Sequence, residues 1–138
     1  MLIITGLAGA GKTIALDTLE DLGYYCIDNL PSALLDSLVR DFASEQAQPV
    51  AVAMDSRNAA DLAALPDKIR ALRQYADIQI LFLTADTDVL VRRYSETRRP
   101  HPLHIRAESA RALPEAIEYE RHLLNPLMNL ADIILDTS

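Results

Sequence analysis

The sequence predicts a three-layer α/β fold, with a mostly parallel sheet between two layers of helices. The chain has 138 residues, the size of one ordinary domain, and 50% of them are apolar, which is enough for a buried core. Short apolar runs alternate along the chain with segments whose apolar residues recur at helical spacing. The runs are continuously apolar, which is typical of strands that helices cover on both faces.

Five short apolar runs predict the strands, and we expect the last of them to be as buried as the others. They are Met1–Thr5, Tyr24–Ile27, Val50–Met54, Ile78–Leu83 and Ile133–Leu135. No run approaches the roughly 20 apolar residues that cross a bilayer, so no membrane span is predicted. The sequence stops just beyond the last run without a closing helix, and we therefore expect residues 1–138 to be one domain of a longer protein.

Apolar stripes at helical spacing predict the helices between the strands. Gly23 is expected to end the first helix, and Asp86 to cap a helix that runs to about Thr97. Residues 98–103 are expected to form a loop because they contain two prolines. The stripes are Ala15, Leu16, Leu19 and Leu22; Leu34, Leu35, Leu38, Val39 and Phe42; Leu62, Leu65, Ile69 and Leu72; and Leu113, Ile117 and Leu124.

Charge and cysteine content narrow the class of protein. The formal net charge is −7, which opposes non-specific binding to nucleic acid, where affinity comes mainly from neutralising phosphates. Cys26 is the single cysteine and cannot form an internal disulfide, and no basic leader precedes the first apolar run. A cytoplasmic location is therefore expected.

The segment between the first strand and the first helix matches the phosphate-binding pattern G-x-x-x-x-G-K-[ST]. Its residues are Gly6, Leu7, Ala8, Gly9, Ala10, Gly11, Lys12 and Thr13. Glycines let the backbone wrap a phosphate, the helix N-terminus adds its dipole, Lys12 reaches the β- and γ-phosphates, and the Thr13 hydroxyl binds Mg²⁺. We expect Lys12 to be exposed until phosphate binds. The pattern predicts a P-loop NTPase fold and a nucleoside triphosphate ligand.

Three aspartates that follow or lie near strand ends are candidates for the chemistry beside this loop. Asp55 comes directly after a strand and is favoured as the carboxylate of the magnesium shell, since ligands of parallel sheets bind at the carboxyl edge. Asp86 is better explained as a helix cap. For Asp28, a turn role and a role at a second site remain equally open. No N-K-x-D segment is present, which disfavours a signalling GTPase.

Five arginines against three acidic residues give the stretch from Thr84 to Arg106 a local positive charge in an acidic chain. Arg98 and Arg99, in the predicted loop, are favoured as catalytic cations that neutralise charge on a transferring phosphoryl group. Arg92 and Arg93 are expected to lie on a solvated helix surface. No metal cluster is expected at the histidines of this stretch, because the cysteine is remote.

Four blocks of sequence resemble the RapZ/YvcJ family of P-loop nucleotide-binding proteins. They are GLAGAGKTIALDTLEDLGYYCIDNLP at residues 6–31, Asp55-Ser56-Arg57-Asn58, RRYSETRRPHPL at residues 92–103, and AIEYERHLLNPLMNLADIILDTS at residues 116–138. The resemblance implies binding and slow hydrolysis of ATP and GTP, with Gly6–Thr13 as the ATP loop. It also implies that Asp55, Ser56, Arg57 and Asn58 form a second nucleotide segment, assigned to GTP.

The resemblance also implies a place for the domain in a larger protein. Some family members are RNase adapters that control small-RNA decay, and their RNA and RNase partners are associated with a C-terminal domain that this chain lacks. The core of the family is similar to nucleoside monophosphate kinases. A regulatory NTPase is therefore favoured over two alternatives: a small-molecule kinase, for which Asp28 and Arg57 suggest an acceptor pocket, and a nucleotide-gated interaction domain without turnover. Whether the chain forms a homo-oligomer stays open.

Overall fold

A computed structural model describes residues 1–42, 49–54, 59–97 and 113–138, and the segment predicted as a loop at residues 98–103 lies outside them. The strands are β1 (Leu2–Gly6), β2 (Tyr25–Ile27), β3 (Val50–Ala53), β4 (Gln79–Thr84) and β5 (Ile133–Asp136). The helices are α1 (Lys12–Asp21), α2 (Leu35–Phe42), α3 (Ala59–Leu72), α4 (Thr87–Thr97) and α5 (Leu113–Leu130), and a 3-10 turn (Ser32–Leu34) precedes α2.

The five strands form one sheet in the order β2-β3-β1-β4-β5, and every pair of neighbours is parallel. Ile4 of β1 lies opposite Ala53 of β3 on one side and Leu81 of β4 on the other. The central strand β1 is therefore paired on both edges, and its side chains Ile3 and Ile4 are fully buried. The predicted α/β fold with a parallel sheet is confirmed.

Crossover handedness explains how the helices are distributed over the sheet. Connections between parallel strands are right-handed, so the direction of each crossover decides which face its helix covers. The crossover from β1 to β2 runs toward the β2 edge of the sheet and contains α1, which packs on β1, β2 and β3. The later crossovers run toward the β5 edge. They place α2, α3, α4 and α5 in a second layer, where α5 contacts both α3 and α4.

Gly23 ends α1 as expected. Its φ of 99° is left-handed, and its N–H donates to the carbonyl oxygen of Glu20 while the Tyr24 N–H donates to Leu19. This pair of hydrogen bonds satisfies carbonyl groups that the end of a helix leaves without partners. Among the described helices, none combines the length and apolar character that a bilayer crossing requires.

The expectation that residues 133–135 are buried is wrong, although the strand itself is confirmed. Ile133 and Ile134 are each 53% exposed, and Leu135 is 49% exposed. β5 is an edge strand, and the α1 layer covers β1 to β3 but leaves a groove of about 590 Å³ bordered by α1, β4 and β5. An apolar run predicts a strand, but whether other elements cover its two faces depends on the tertiary arrangement.

Candidate phosphate-binding site

The predicted phosphate loop lies at the carboxyl edge of the sheet, between β1 and the N-terminus of α1. The helix begins at Lys12, directly after Gly11, whose φ is 107°, and its first turn contains no acidic residue. The N-terminal N–H groups and the helix dipole favour an anion at this position. Leu7 and Ala10 of the loop are fully buried, which anchors the loop to the core.

Gly6 lets the loop leave β1 pressed against the neighbouring strand. Its φ is 136°, and a Cβ at this position would stand 2.1 Å from the carbonyl oxygen of Leu83 at the end of β4. The next residue, Leu7, donates its N–H to that same oxygen at 3.1 Å. Only glycine fits between the two strands here, because any Cβ would overlap backbone atoms.

Several main-chain N–H groups of the loop are available to an anion. The N–H of Ala10 is used within the loop and donates to Leu7 at 3.0 Å. By contrast, the described residues place no hydrogen-bond acceptor on the N–H groups of Gly9, Gly11 or Thr13. Main-chain donors of this kind at a helix N-terminus can hold phosphate oxygens, so the residues present fit this ligand.

Lys12 is half-buried, and the expectation that it stands exposed is wrong. Its ammonium donates to the carbonyl oxygens of Gly6 at 2.9 Å and Leu7 at 3.2 Å. A flexible lysine stem allows the charge to fold back onto nearby carbonyl groups, which neutralises part of the cost of leaving water. The ammonium is therefore kept beside the loop, at the carbonyl oxygens of Gly6 and Leu7.

Two residues far apart in sequence hold the outer side of the loop. The Arg93 guanidinium of α4 donates to the Gly9 carbonyl oxygen at 2.9 Å, and the Thr137 hydroxyl donates to the Ala10 carbonyl oxygen at 2.7 Å. Arg93 also donates to the carbonyl oxygen of Thr137 at 2.6 Å. The prediction of a solvated surface role for Arg93 is therefore wrong, since helix periodicity cannot show which loop packs against a helix.

Glu120 of α5 is a loop contact that the sequence reasoning missed. It is completely buried, and its two carboxylate oxygens lie 3.1 and 3.2 Å from the main-chain nitrogen of Ala8. A signal for it exists, because Glu120 lies three residues after Ile117 and four before Leu124, on the apolar stripe of the helix. A charged residue on such a stripe indicates a buried polar contact.

The remaining predicted site residues are only partly described. Thr13 is exposed in the first turn of α1, where a metal ligand is expected. Asp55, Ser56, Arg57 and Asn58, and also Arg98 and Arg99, lie outside the described residues. The last residue described before Asp55 is Met54, whose N–H donates to the Ile4 carbonyl oxygen at 3.0 Å, so β3 arrives at the loop's edge of the sheet.

The other candidate aspartates are exposed side chains. Asp28 follows β2, and Asp86 immediately precedes α4, where its carbonyl oxygen accepts from the N–H of Leu90. This position agrees with the predicted helix cap at Asp86. Within the described ranges, no group of three or more histidine, cysteine, aspartate or glutamate residues could hold a metal ion.

A second set of polar contacts joins α4 and α5 beside the loop. Arg121 donates to the Thr84 hydroxyl, the Ala85 carbonyl oxygen and the Thr87 hydroxyl at 3.0 to 3.2 Å. Thr87 in turn donates to the Glu118 carboxylate. This hydrogen bond, supported by the positive charge of Arg121, lowers the pKa of Glu118 below its ordinary value.

A family profile and two related proteins show which proteins this chain is similar to. The profile of the RapZ-like N-terminal domain matches residues 1–138. A nucleotide-binding protein of Dichelobacter nodosus is 61% identical over 138 residues, which is 100% of this chain and 48% of that protein. A nucleotide-binding protein of Cupriavidus pinatubonensis is 48% identical over 149 residues, 100% of this chain and 50% of that protein. The chain thus spans about half the length of these relatives.

Solved structures share the fold at low sequence identity. A shikimate kinase from Bacteroides thetaiotaomicron has a TM-score of 0.56 at 16% identity, covering 99% of this chain and 85% of that one. The tunicamycin resistance protein of Deinococcus radiodurans gives the same TM-score, identity and coverage. At this identity the likeness concerns the fold alone, an α/β fold with a parallel sheet.

Proposed function

Because the chain belongs to the RapZ-like N-terminal domain family, we propose that it binds a nucleoside triphosphate through residues 6–13 and hydrolyses it slowly. The observation that carries the proposal is the loop itself, in which the N–H groups of Gly9, Gly11 and Thr13 meet no acceptor among the described residues. Donors of this kind at a helix N-terminus bind phosphate oxygens. The names of the relatives, which are called nucleotide-binding proteins, support the same conclusion.

The proposed ligands are ATP and GTP with Mg²⁺. The Thr13 hydroxyl and the Asp55 carboxylate are the proposed magnesium ligands, since hard cations take oxygen donors. Magnesium would neutralise charge on the phosphates. Asp55, Ser56, Arg57 and Asn58 are proposed as the second nucleotide segment, as the family resemblance implies.

Lys12 is proposed to move from the Gly6 and Leu7 carbonyl oxygens to the phosphates when the nucleotide binds. Both hydrogen bonds leave from one ammonium at the end of a flexible stem, so exchanging them for a phosphate requires side-chain rotation only. Arg98 and Arg99 are proposed to neutralise charge that develops in the transition state. Asp55 is proposed to act through the magnesium shell.

In the longer protein this domain is proposed to act as a regulatory NTPase of a cytoplasmic RNase adapter. RNA and the RNase would bind through the other half of the protein, while residues 1–138 respond to the nucleotide. The net charge of −7 supports this division, because an acidic domain repels the phosphate backbone of RNA. Whether the domain self-associates does not alter the proposal.

A small-molecule kinase is the second candidate function. The fold likeness to shikimate kinase favours it, and the exposed Asp28 after β2 stands at the carboxyl edge where an acceptor would bind. Incubation with γ-labelled triphosphate and a panel of sugars, sugar phosphates, nucleoside monophosphates and small acids separates the two functions. Free phosphate as the main product supports the regulatory NTPase, whereas a labelled organic product formed faster than free phosphate supports the kinase.

Titration calorimetry with ATP and GTP, with and without Mg²⁺, tests the proposed binding directly. We expect Lys12→Ala to lose triphosphate binding and keep its fold, because the lysine contributes charge to the site and its ammonium is half-buried at the loop rather than in the core. The matched control is Lys68→Ala, since Lys68 is the only other lysine and donates to Ser32 instead. Unchanged affinity in a folded Lys12→Ala protein contradicts the proposal.

The roles of Arg98 and Arg99 are tested by kinetics. Replacing both with alanine should lower turnover more than nucleotide affinity, because a cation that acts on the transition state contributes little to ground-state binding. Arg92→Ala is the control from the same stretch, since Arg92 is exposed on α4. Equal losses of binding and turnover, or no loss in either, return both arginines to a surface role.

A further inference from the structure

We propose that Glu120 is a positioning residue that orients the peptide unit between Leu7 and Ala8 and thereby sets the geometry of the phosphate loop. The proposal rests on the proposed nucleotide binding. Glu120 is the only charged residue buried to this degree among the described residues, with none of its surface exposed. A carboxylate in such a place is costly unless it accepts hydrogen bonds, and both of its oxygens lie on the Ala8 N–H.

This peptide unit is held at both ends by charged groups. Its N–H donates to Glu120, while its carbonyl oxygen, that of Leu7, accepts from the Lys12 ammonium at 3.2 Å and from the Ala10 N–H at 3.0 Å. An anion on the N–H and a cation on the carbonyl oxygen both favour the same orientation of the peptide dipole. Glu120 and Lys12 are therefore coupled through a single peptide plane.

The same contact decides which N–H groups of the loop are left for a ligand. With its N–H donating to Glu120, Ala8 is not one of the loop residues whose N–H meets no acceptor among the described residues, which are Gly9, Gly11 and Thr13. A loop whose peptide planes are fixed before binding loses less conformational freedom when the phosphate arrives. When Lys12 leaves Leu7 for the phosphate, Glu120 remains to keep the plane in place.

Two substitutions separate positioning from mere stability. Glu120→Gln keeps a neutral carbonyl oxygen that can accept from Ala8, so triphosphate affinity should stay within about threefold of the original. Glu120→Leu removes the acceptor, and affinity should fall by about tenfold or more, comparable to the loss at metal sites when a residue that orients a ligand is removed. Glu115→Gln is the matched control on the same helix, since Glu115 is exposed, and it should leave affinity unchanged.

The hydrogen bond from the Ala8 N–H to Glu120 can be observed directly in the amide resonance of Ala8. In ¹⁵N-labelled protein, this N–H should resonate downfield and exchange slowly with solvent, and in Glu120→Leu it should move upfield and lose protection. A structural role confined to helix packing would lower thermal stability without moving this resonance. Because the wild-type resonance and exchange rate are informative alone, the test stands even if Glu120→Leu does not fold.

The outcomes are distinct for the two proposals. Unchanged triphosphate affinity in Glu120→Leu, equal losses in the Gln and Leu variants, or rapid exchange of the Ala8 N–H in the wild-type protein overturns the positioning role. If wild-type protein binds no triphosphate, the proposed function fails instead, and the Ala8 resonance still decides whether Glu120 orients the loop.

Discussion

The hydroxyl of Thr137 donates a 2.7 Å hydrogen bond to the carbonyl oxygen of Ala10, which joins the end of β5 to the phosphate loop across 127 positions of sequence. The N–H of Thr137 donates to the carbonyl oxygen of Thr84 at the end of β4, so the sheet holds the main chain of Thr137 while its side chain contacts the loop. The loop therefore takes part of its shape from the last strand of the domain.

Thr137→Val should weaken both the fold and the site. Valine keeps the branched shape but loses the hydroxyl, leaving the Ala10 carbonyl oxygen without this donor, at a cost of about 1 to 2 kcal/mol. We expect a lower midpoint in chemical denaturation and weaker triphosphate binding by calorimetry. Thr137→Ser keeps the hydroxyl and should restore most of both. Equal behaviour of the two variants would show that the hydrogen bond contributes nothing.

Arg93→Lys should lower triphosphate affinity although the charge is kept. The guanidinium bridges Gly9 and Thr137 through two nitrogens, and a lysine ammonium cannot reproduce this fork. Arg92→Lys is the control, because Arg92 is adjacent to Arg93 on the same helix and is exposed. Calorimetry on both variants measures the effect, and matching affinities would show that the contacts of Arg93 with Gly9 and Thr137 do not influence nucleotide binding.

Gly6→Ala should destabilise the protein strongly. The added Cβ would lie 2.1 Å from the Leu83 carbonyl oxygen. Neither atom can rotate away, because the Cβ is attached to the main chain and the oxygen belongs to it. A strand must therefore shift, at a cost on the order of 3 kcal/mol or more. Gly23→Ala isolates the backbone term, since Gly23 has a positive φ but open space around its Cβ, and should cost only about 1 kcal/mol. Thermal unfolding of the pair measures the difference.

Glu118 should contribute stability that is lost in acid. The Thr87 hydrogen bond and the charge of Arg121 lower its pKa in the folded protein, so its contribution is present above the unfolded pKa, about 4.3, and is lost as pH falls through the lowered folded value. Glu118→Gln should flatten the dependence of unfolding free energy on pH in that window, and Thr87→Ala should flatten it partly. Denaturation at a series of acidic pH values measures both slopes, and identical slopes in all three proteins would contradict the assignment.

Much of the fold could be predicted because it depends on local pattern. The five apolar runs became the five strands within a residue or two at most ends, and Gly23 ends the first helix as its conformational freedom suggested. The phosphate loop can also be recognised from local sequence, because glycine, lysine and threonine must occur at fixed spacing between a strand and a helix. The exposure of residues 133–135 was not predictable in this way, since it depends on which elements pack on the two faces of the edge strand β5.

The sequence by itself determined the alternation of strands and helices, the parallel sheet and the residues of the loop, since each follows from neighbours within a few positions. Only the tertiary structure decided what surrounds that loop. Arg93, Glu120 and Thr137 reach it from 84, 112 and 127 positions away. Their chemistry is ordinary in sequence, and it becomes specific because chain folding sets donors and acceptors within about 3 Å, a distance that no local pattern encodes.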